Sequence, residues 1–213
     1  MAISYTSPDE VRRKMKLDYV KTKLDPANRA FEGLQTLICQ MMKPKLNARD
    51  YLQDCANFIQ KHFGLRWVTI GLRNPADNIF RYELHSGVRP EAWAIFRQKA
   101  YKLDAFTTFS DYKAEEISRL SRVYLEEENP LNGLDQQATN RPALLSMRRR
   151  SADTSLEADF VDTLIVGPDE ELLGWIEYSG TVSGKLPDSM TIRCVEIVSC
   201  VLSFLLTSKT RRQ

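Results

Sequence analysis

Two stretches of alternating hydrophobic residues, each folded back by a turn, restrict this chain more than any other feature. In Trp67-Val68-Thr69-Ile70-Gly71-Leu72-Arg73, the residues Val68, Ile70 and Leu72 share one face of an extended chain. Asn74-Pro75-Ala76-Asp77-Asn78 is turn by composition, and beyond it Phe80, Tyr82 and Leu84 alternate with Arg81, Glu83 and His85. Far downstream the arrangement returns. Phe160 to Val166 is a nearly continuous apolar strand, and Gly167-Pro168-Asp169-Glu170-Glu171 turns the chain. The next strand sends Leu172, Gly174, Ile176 and Tyr178 one way and Leu173, Trp175, Glu177 and Ser179 the other. Two antiparallel hairpins with apolar faces need a covering layer, which points to an α+β fold.

The cover is helical. Ser7-Pro8-Asp9-Glu10 is a capping box with proline at the first helical position. Asp25-Pro26 repeats the start signal, and Phe31, Leu34, Ile38 and Met41 then recur at steps of three and four, with Leu37 beside them, up to Pro44. Asn47 caps a third helix whose stripe is Tyr51, Leu52, Cys55, Phe58, Ile59 and Phe63, stopped by Gly64. Pro90 opens a helix carrying Trp93, Phe96 and Tyr101, and Ala114 to Glu127 reads as another, with Ile117, Leu120 and Tyr124 on one side. Asn129 to Ser155 holds Pro130, Gly133 and Pro142 and reads as a binding loop, a lid or a disordered segment. Pro187-Asp188 opens the last helix. It is apolar on most sides through Val195, Ile197, Val198, Val201, Leu202, Phe204, Leu205 and Leu206, so a second buried surface is expected.

Composition narrows the function. With 30 basic and 28 acidic residues and a net charge of +2, the 213-residue chain has no global attraction to nucleic acid or anionic membrane. The Val195–Leu206 run is too short to span a bilayer, and the first residues lack the apolar core of a secretory signal, so a cytoplasmic protein is expected. Cys39, Cys55, Cys194 and Cys200 have no zinc or redox spacing and read as buried free thiols. No phosphate loop, nucleophile elbow or dinucleotide-binding fingerprint occurs, and neither His62 nor His85, which precedes Ser86-Gly87, has an obvious nucleophile with an orienting acid nearby in sequence. No catalytic residue and no metal site is expected.

The order helix, hairpin, variable segment, hairpin, helix resembles a GAF domain, a small-molecule sensor fold related to the PAS domains. The likeness rests on the helix Asp50–Phe63 running through Gly64-Leu65 into Trp67–Leu72. It rests also on Leu164-Ile165-Val166-Gly167-Pro168-Asp169-Glu170-Glu171-Leu172-Leu173-Gly174-Trp175-Ile176-Glu177, which is similar to the late GAF hairpin, and on a closing helix over Asp188–Leu206. It divides the chain into a helical extension (1–46), a GAF-like domain (47–207) and a basic tail (208–213). What the resemblance implies is a central antiparallel sheet with helices on one face, a ligand cavity on the other under the variable segment, and terminal helices that pack into a dimerising bundle.

Within that frame Thr69, Gly71 and Arg73, then Phe106, Thr108, Phe109 and Asp111, and finally Trp175, Glu177 and Ser179 are the candidate ligand-binding residues, since they mix aromatic surface with hydrogen-bonding groups. Phe31, Leu34, Ile38 and Met41 with Val198, Val201 and Leu205 are the candidate homodimer contacts. Methionine sulfoxide reductases of this fold use cysteines on loops around the pocket, whereas the thiols here sit on helices. No Cys-His pair is present for a covalent bilin, haem would have only lone candidate ligands, and the cyclic-nucleotide signature is absent. The cofactor stays unnamed. The expectation is a regulatory sensor that binds a small molecule and acts through its terminal helices on a partner or a fused domain. The alternative is a dimerisation or protein-interaction platform of the same fold with no ligand.

Overall fold

The computed structural model describes residues 7–22, 25–43, 45–107, 112–131 and 133–210. Helix α1 (Pro8–Thr22) opens on the capping box: the Glu10 N–H donates to Ser7 Oγ at 3.2 Å, and the Ser7 N–H donates to Glu10 Oε2 at 2.9 Å. Val11, Met15, Leu17, Tyr19 and Val20 of this helix are exposed. Helix α2 (Pro26–Met41) buries Ala30, Leu34 and Leu37. In helix α3 (Ala48–His62) the Asn47 side chain accepts the Arg49 N–H, and the Tyr51 hydroxyl donates to the Leu37 carbonyl at 3.0 Å, tying α3 to α2. Gly64, at φ +59°, supplies the left-handed turn into the sheet.

The strands are β1 (Val68–Arg73), β2 (Phe80–Ser86), β3 (Ala100–Tyr101), β4 (Glu115–Glu116), β5 (Ser121–Tyr124), β6 (Phe160–Val166) and β7 (Leu172–Ser179). They form one antiparallel sheet in the order β3-β2-β1-β7-β6-β5-β4, so the two hairpins meet at β1 and β7. On one face Val68, Ile70, Leu84, Val161, Ile165 and Ile176 pack against α2, α3 and the closing helix α7 (Ser189–Thr210), with Leu34, Ile59, Val195, Val198 and Leu202 in the same core. On the other face Trp67, Phe80, Tyr82 and Trp175 form a second core. It is covered by the chain between β2 and β6, including α4 (Pro90–Phe96), α5 (Asp104–Thr107) and α6 (Gly133–Gln137). This is the α+β arrangement the sequence implies.

The structure corrects several local expectations. Ile70 pairs with Leu84 but Gly71 with Tyr82, so Glu83 is an extra residue in β2. That bulge resets the alternation: Leu84 joins the helix-side core, while Phe80 and Tyr82 join the opposite one. The segment 114–127 is not helical. Ser118 Oγ accepts the N–H groups of Leu120 and Ser121, which makes a turn, and β5 then pairs with β6. Tyr101 lies beyond the end of α4 and pairs with Phe80 on β3. Cys39 and Cys200 are exposed, and only Cys55 and Cys194 are buried. Ser189–Ser208 of α7 is long and apolar enough to cross a membrane, which the shorter run read from sequence is not, but one side of it lies in the core over the sheet.

Candidate functional site: an aromatic cavity over the sheet

A cavity of about 120 Å³ lies between the second face of the sheet and its cover. Its polar floor comes from strand register. His85, Thr69, Glu177, Asp162 and Arg122 stand opposite one another across β2, β1, β7, β6 and β5. Directly opposed residues share a face, so these five make one polar row. The third and fourth, Glu177 and Asp162, line the cavity and are 7% and 6% exposed. Glu177 Oε2 accepts the Tyr82 hydroxyl at 2.7 Å. Asp162 Oδ1 is buried with no hydrogen-bond partner among the described residues.

Burial raises both carboxyls above their ordinary range. For Asp162 the neighbouring Glu177 adds to the rise and Arg122 opposes it; for Glu177 the Tyr82 hydroxyl and Lys99 oppose it. The Tyr82 phenol is itself held well above its usual value by burial and by Glu177, so it stays protonated and donates.

The walls are aromatic. Trp175 lies opposite Gly71 on the neighbouring strand, and a Cβ on that glycine would meet the indole at 2.1 Å, so only glycine lets the ring lie flat there. Tyr82 meets Trp175 at 5.0 Å and 69°, Tyr101 meets Trp175 at 5.8 Å and 88°, and Tyr82 meets Tyr101 at 6.0 Å and 76°. Three rings at steep mutual angles form a corner. Phe106 packs 5.0 Å from Trp175, and Tyr124 stacks on Phe160 at 4.4 Å.

Charged groups pin the cover. Arg89 Nε donates to the Thr139 carbonyl at 2.7 Å and Nη2 to that of Gln137 at 2.8 Å, while Asn140 accepts the Arg89 N–H and donates to the Gly87 carbonyl. Lys99 Nζ lies 2.6 Å from Asp135, which also accepts the Tyr112 hydroxyl. At the far end the buried Arg66 donates to Glu157 at 2.9 Å and to Ser155 Oγ at 2.6 Å, and the Arg141 N–H donates to Glu157.

Of the residues singled out from sequence, Phe106, Trp175 and Glu177 line the cavity. Gly71 lies beneath Trp175. Thr69 is buried beside Glu177 without lining the space, and its hydroxyl has no partner among the described residues. Ser179 is structural: its Oγ accepts the Trp67 N–H at 3.0 Å. Arg73 ends β1 and does not line the cavity. Thr108, Phe109 and Asp111 lie outside the described residues. The proposed dimer contacts divide. Leu34, Val198 and Leu205 are in the chain's own core, Met41 and Val201 pack at its edge, and Phe31 and Ile38 are exposed.

Sequence reasoning missed Tyr82, Tyr101, Tyr124, Phe160 and Asp162. One signal was present: Asp162 is the one charged residue in an otherwise apolar strand, where a buried carboxylate is costly. None of the four cysteines lines the cavity; they lie on α2, α3 and α7, across the sheet. His85 packs against Trp93, with ring centroids 4.3 Å apart. Among the described residues no group of His, Cys, Asp and Glu is arranged to hold a metal ion.

This geometry, a mixed helical layer, an antiparallel sheet and a covered cavity, is the GAF fold. No protein-family model matches the sequence, and none of the curated proteins does. Solved structures do match. The GAF domain of an Acinetobacter phosphoenolpyruvate-protein phosphotransferase superposes with a TM-score of 0.55 at 10% identity, covering 86% of this chain and 96% of that one. The GAF domain/HD domain protein of Geobacter sulfurreducens gives 0.54 at 10% identity, over 76% and 93%. The free methionine-R-sulfoxide reductase of Neisseria meningitidis, solved with its substrate, gives 0.53 at 10% identity, over 89% and 95%. Identities this low establish the fold and leave the activity to the site.

Proposed function

We propose that this chain is a regulatory sensor domain that takes a small molecule into the aromatic cavity and reports its presence through the helices across the sheet, as a homodimer. The observation that carries the reading is the cavity with a buried carboxyl oxygen at its floor that has no hydrogen-bond partner among the described residues. A buried acceptor of this kind gains free energy from a donor supplied by a ligand. A route to the helices exists. Strand β6, which bears Asp162, is bonded to α7 by Ser199 Oγ to the Leu164 carbonyl at 2.5 Å and by Ser203 Oγ to that of Val166 at 2.7 Å. Glu196 of α7 accepts the Ser121 hydroxyl of β5 at 2.8 Å. A shift of β5 and β6 on binding therefore reaches α7 directly.

The same fold serves a sulfoxide reductase. The placement of all four thiols across the sheet favours binding over thiol catalysis here, because a reacting thiolate must reach its substrate. Dimerisation is supported by the apolar side chains that α2 and α7 leave exposed, Phe31 and Ile38 with Ile197 and Phe204. Native mass spectrometry of the full chain tests the proposal. The expected result is a dimer carrying a small mass that is released on denaturation. A monomer that stays empty, and that no compound of a broad metabolite library occupies, overturns it.

A further inference from the structure

We infer that the occupant of the cavity is a small organic cation, its charge held by Asp162 and Glu177 and its carbon skeleton laid against the corner of Tyr82, Tyr101 and Trp175. This rests on the cavity being a ligand site and adds the chemical class. Glu157 is neutralised by Arg66 and bonded by Arg141, and Asp135 is held by Lys99 and Tyr112. Asp162 and Glu177, opposed on neighbouring strands and both buried, have no ion-pair partner among the described residues and are met by the neutral hydroxyls of Tyr124 and Tyr82. The cation on their row is Arg122, which donates to the Phe106 carbonyl at 2.7 Å and lies 3.7 Å from Glu116. One arginine beside two adjacent carboxyls leaves a negative charge that needs a proton or a second cation.

The walls select the second. Tyrosine and tryptophan rings attract a cation through their quadrupole, and three such rings, at steep mutual angles, line the cavity. An anion would meet the carboxyl pair, and a neutral ligand would gain nothing from the ring charge distribution. The volume, about 120 Å³, lies far below that of pockets for nucleotides or larger cofactors and suits a compact amine, quaternary ammonium or guanidinium compound. The unpartnered Asp162 Oδ1 supplies the acceptor for the ligand's N–H, or the counter-charge for a quaternary centre.

Calorimetric titration of the full chain at neutral pH, with choline, phenethylamine and propylguanidine as probes, tests the assignment. The controls are their uncharged counterparts 3,3-dimethylbutanol and 2-phenylethanol, and the anion 3-phenylpropionate. At least one cation is expected to bind roughly tenfold or more tightly than the controls, and Asp162→Asn, with Glu177→Gln as a second variant, to lose that preference by a similar factor without a lower melting temperature. A control that binds as well as the cations overturns the charge assignment and leaves the cavity as a ligand site. Unchanged affinity in both variants overturns it too. Binding by none of the probes also rejects the cation, while the native mass measurement judges the cavity separately.

Discussion

Asp162 stands where a strand of the pattern Phe160–Val166 would ordinarily place a hydrophobic residue, and its cost appears in its ionisation. The carboxyls of Asp162 and Glu177 keep their protons to higher pH in the folded chain than in the unfolded one. As pH rises from the ordinary carboxylate range through these raised values, the folded state binds more protons than the unfolded state, and stability falls. Asp162→Asn removes one member and relieves the other. The melting temperatures of wild type and variant should therefore converge in acid and separate as pH rises, with the variant higher. Glu126, raised by burial, and His62 and His85, lowered by it, titrate in both proteins and cancel in the difference. Parallel curves would show that the carboxyl pair is not strained. Gly71 gives a second residue-scale test. Gly71→Ala places a methyl group inside the Trp175 ring position, so the indole must move into the cavity at a cost of about 1–3 kcal/mol, read as a lower melting temperature and altered tryptophan fluorescence.

Among the elements, the 137–140 turn of the cover is tied to the start of α4 by one arginine. Arg89 reaches two carbonyls of the 137–139 turn, and the Asn140 side chain closes the contact on the Arg89 N–H and the Gly87 carbonyl. Arg89→Ala should lower global stability by only about 1–2 kcal/mol, while amide exchange across α6 and residues 138–140 speeds up by much more. Equal protection in both proteins would place the hold elsewhere. The elements also show what sequence could reveal. Both hairpins and the helices α2, α3 and α7 follow from period and caps, because those signals are local. Trp175 and Glu177 were reachable by counting alternate residues along β7, and Phe106 by the mix of aromatic and hydrogen-bonding groups in its segment. Alternation alone groups Tyr82 with Leu84, and the bulge at Glu83, set by pairing with β1, is what parts them to opposite faces. Tyr101 and Tyr124 were hidden by helical spacings that the sheet edge overrode, since β3 and β5 exist only through their partners β2 and β6. Asp162 looked like an irregularity in a strand until register set it beside Glu177.

The molecule as a whole places a charged aromatic cavity and a partly apolar helical layer on opposite faces of one sheet, with β6 and α7 joining them. Phe31 and Phe204, 53% and 62% exposed, lie on the outer sides of the helices that would meet a second copy. Replacing Phe31 and Ile38 together by glutamate should convert a dimer to a folded monomer in sedimentation, because neither residue contributes to the buried core. A double variant that remains dimeric would locate the interface elsewhere.

If the cavity is a ligand site, wild type and Gly71→Ala will differ when screened side by side against a broad metabolite library, with tryptophan fluorescence and melting temperature as readouts. Trp67 and Trp175 line the cavity, so occupancy should change the emission of the wild type. At least one compound, a small cation, is expected to act on the wild type and fail on the variant. Compounds that act equally on both, or a wild type that responds to nothing, would contradict it.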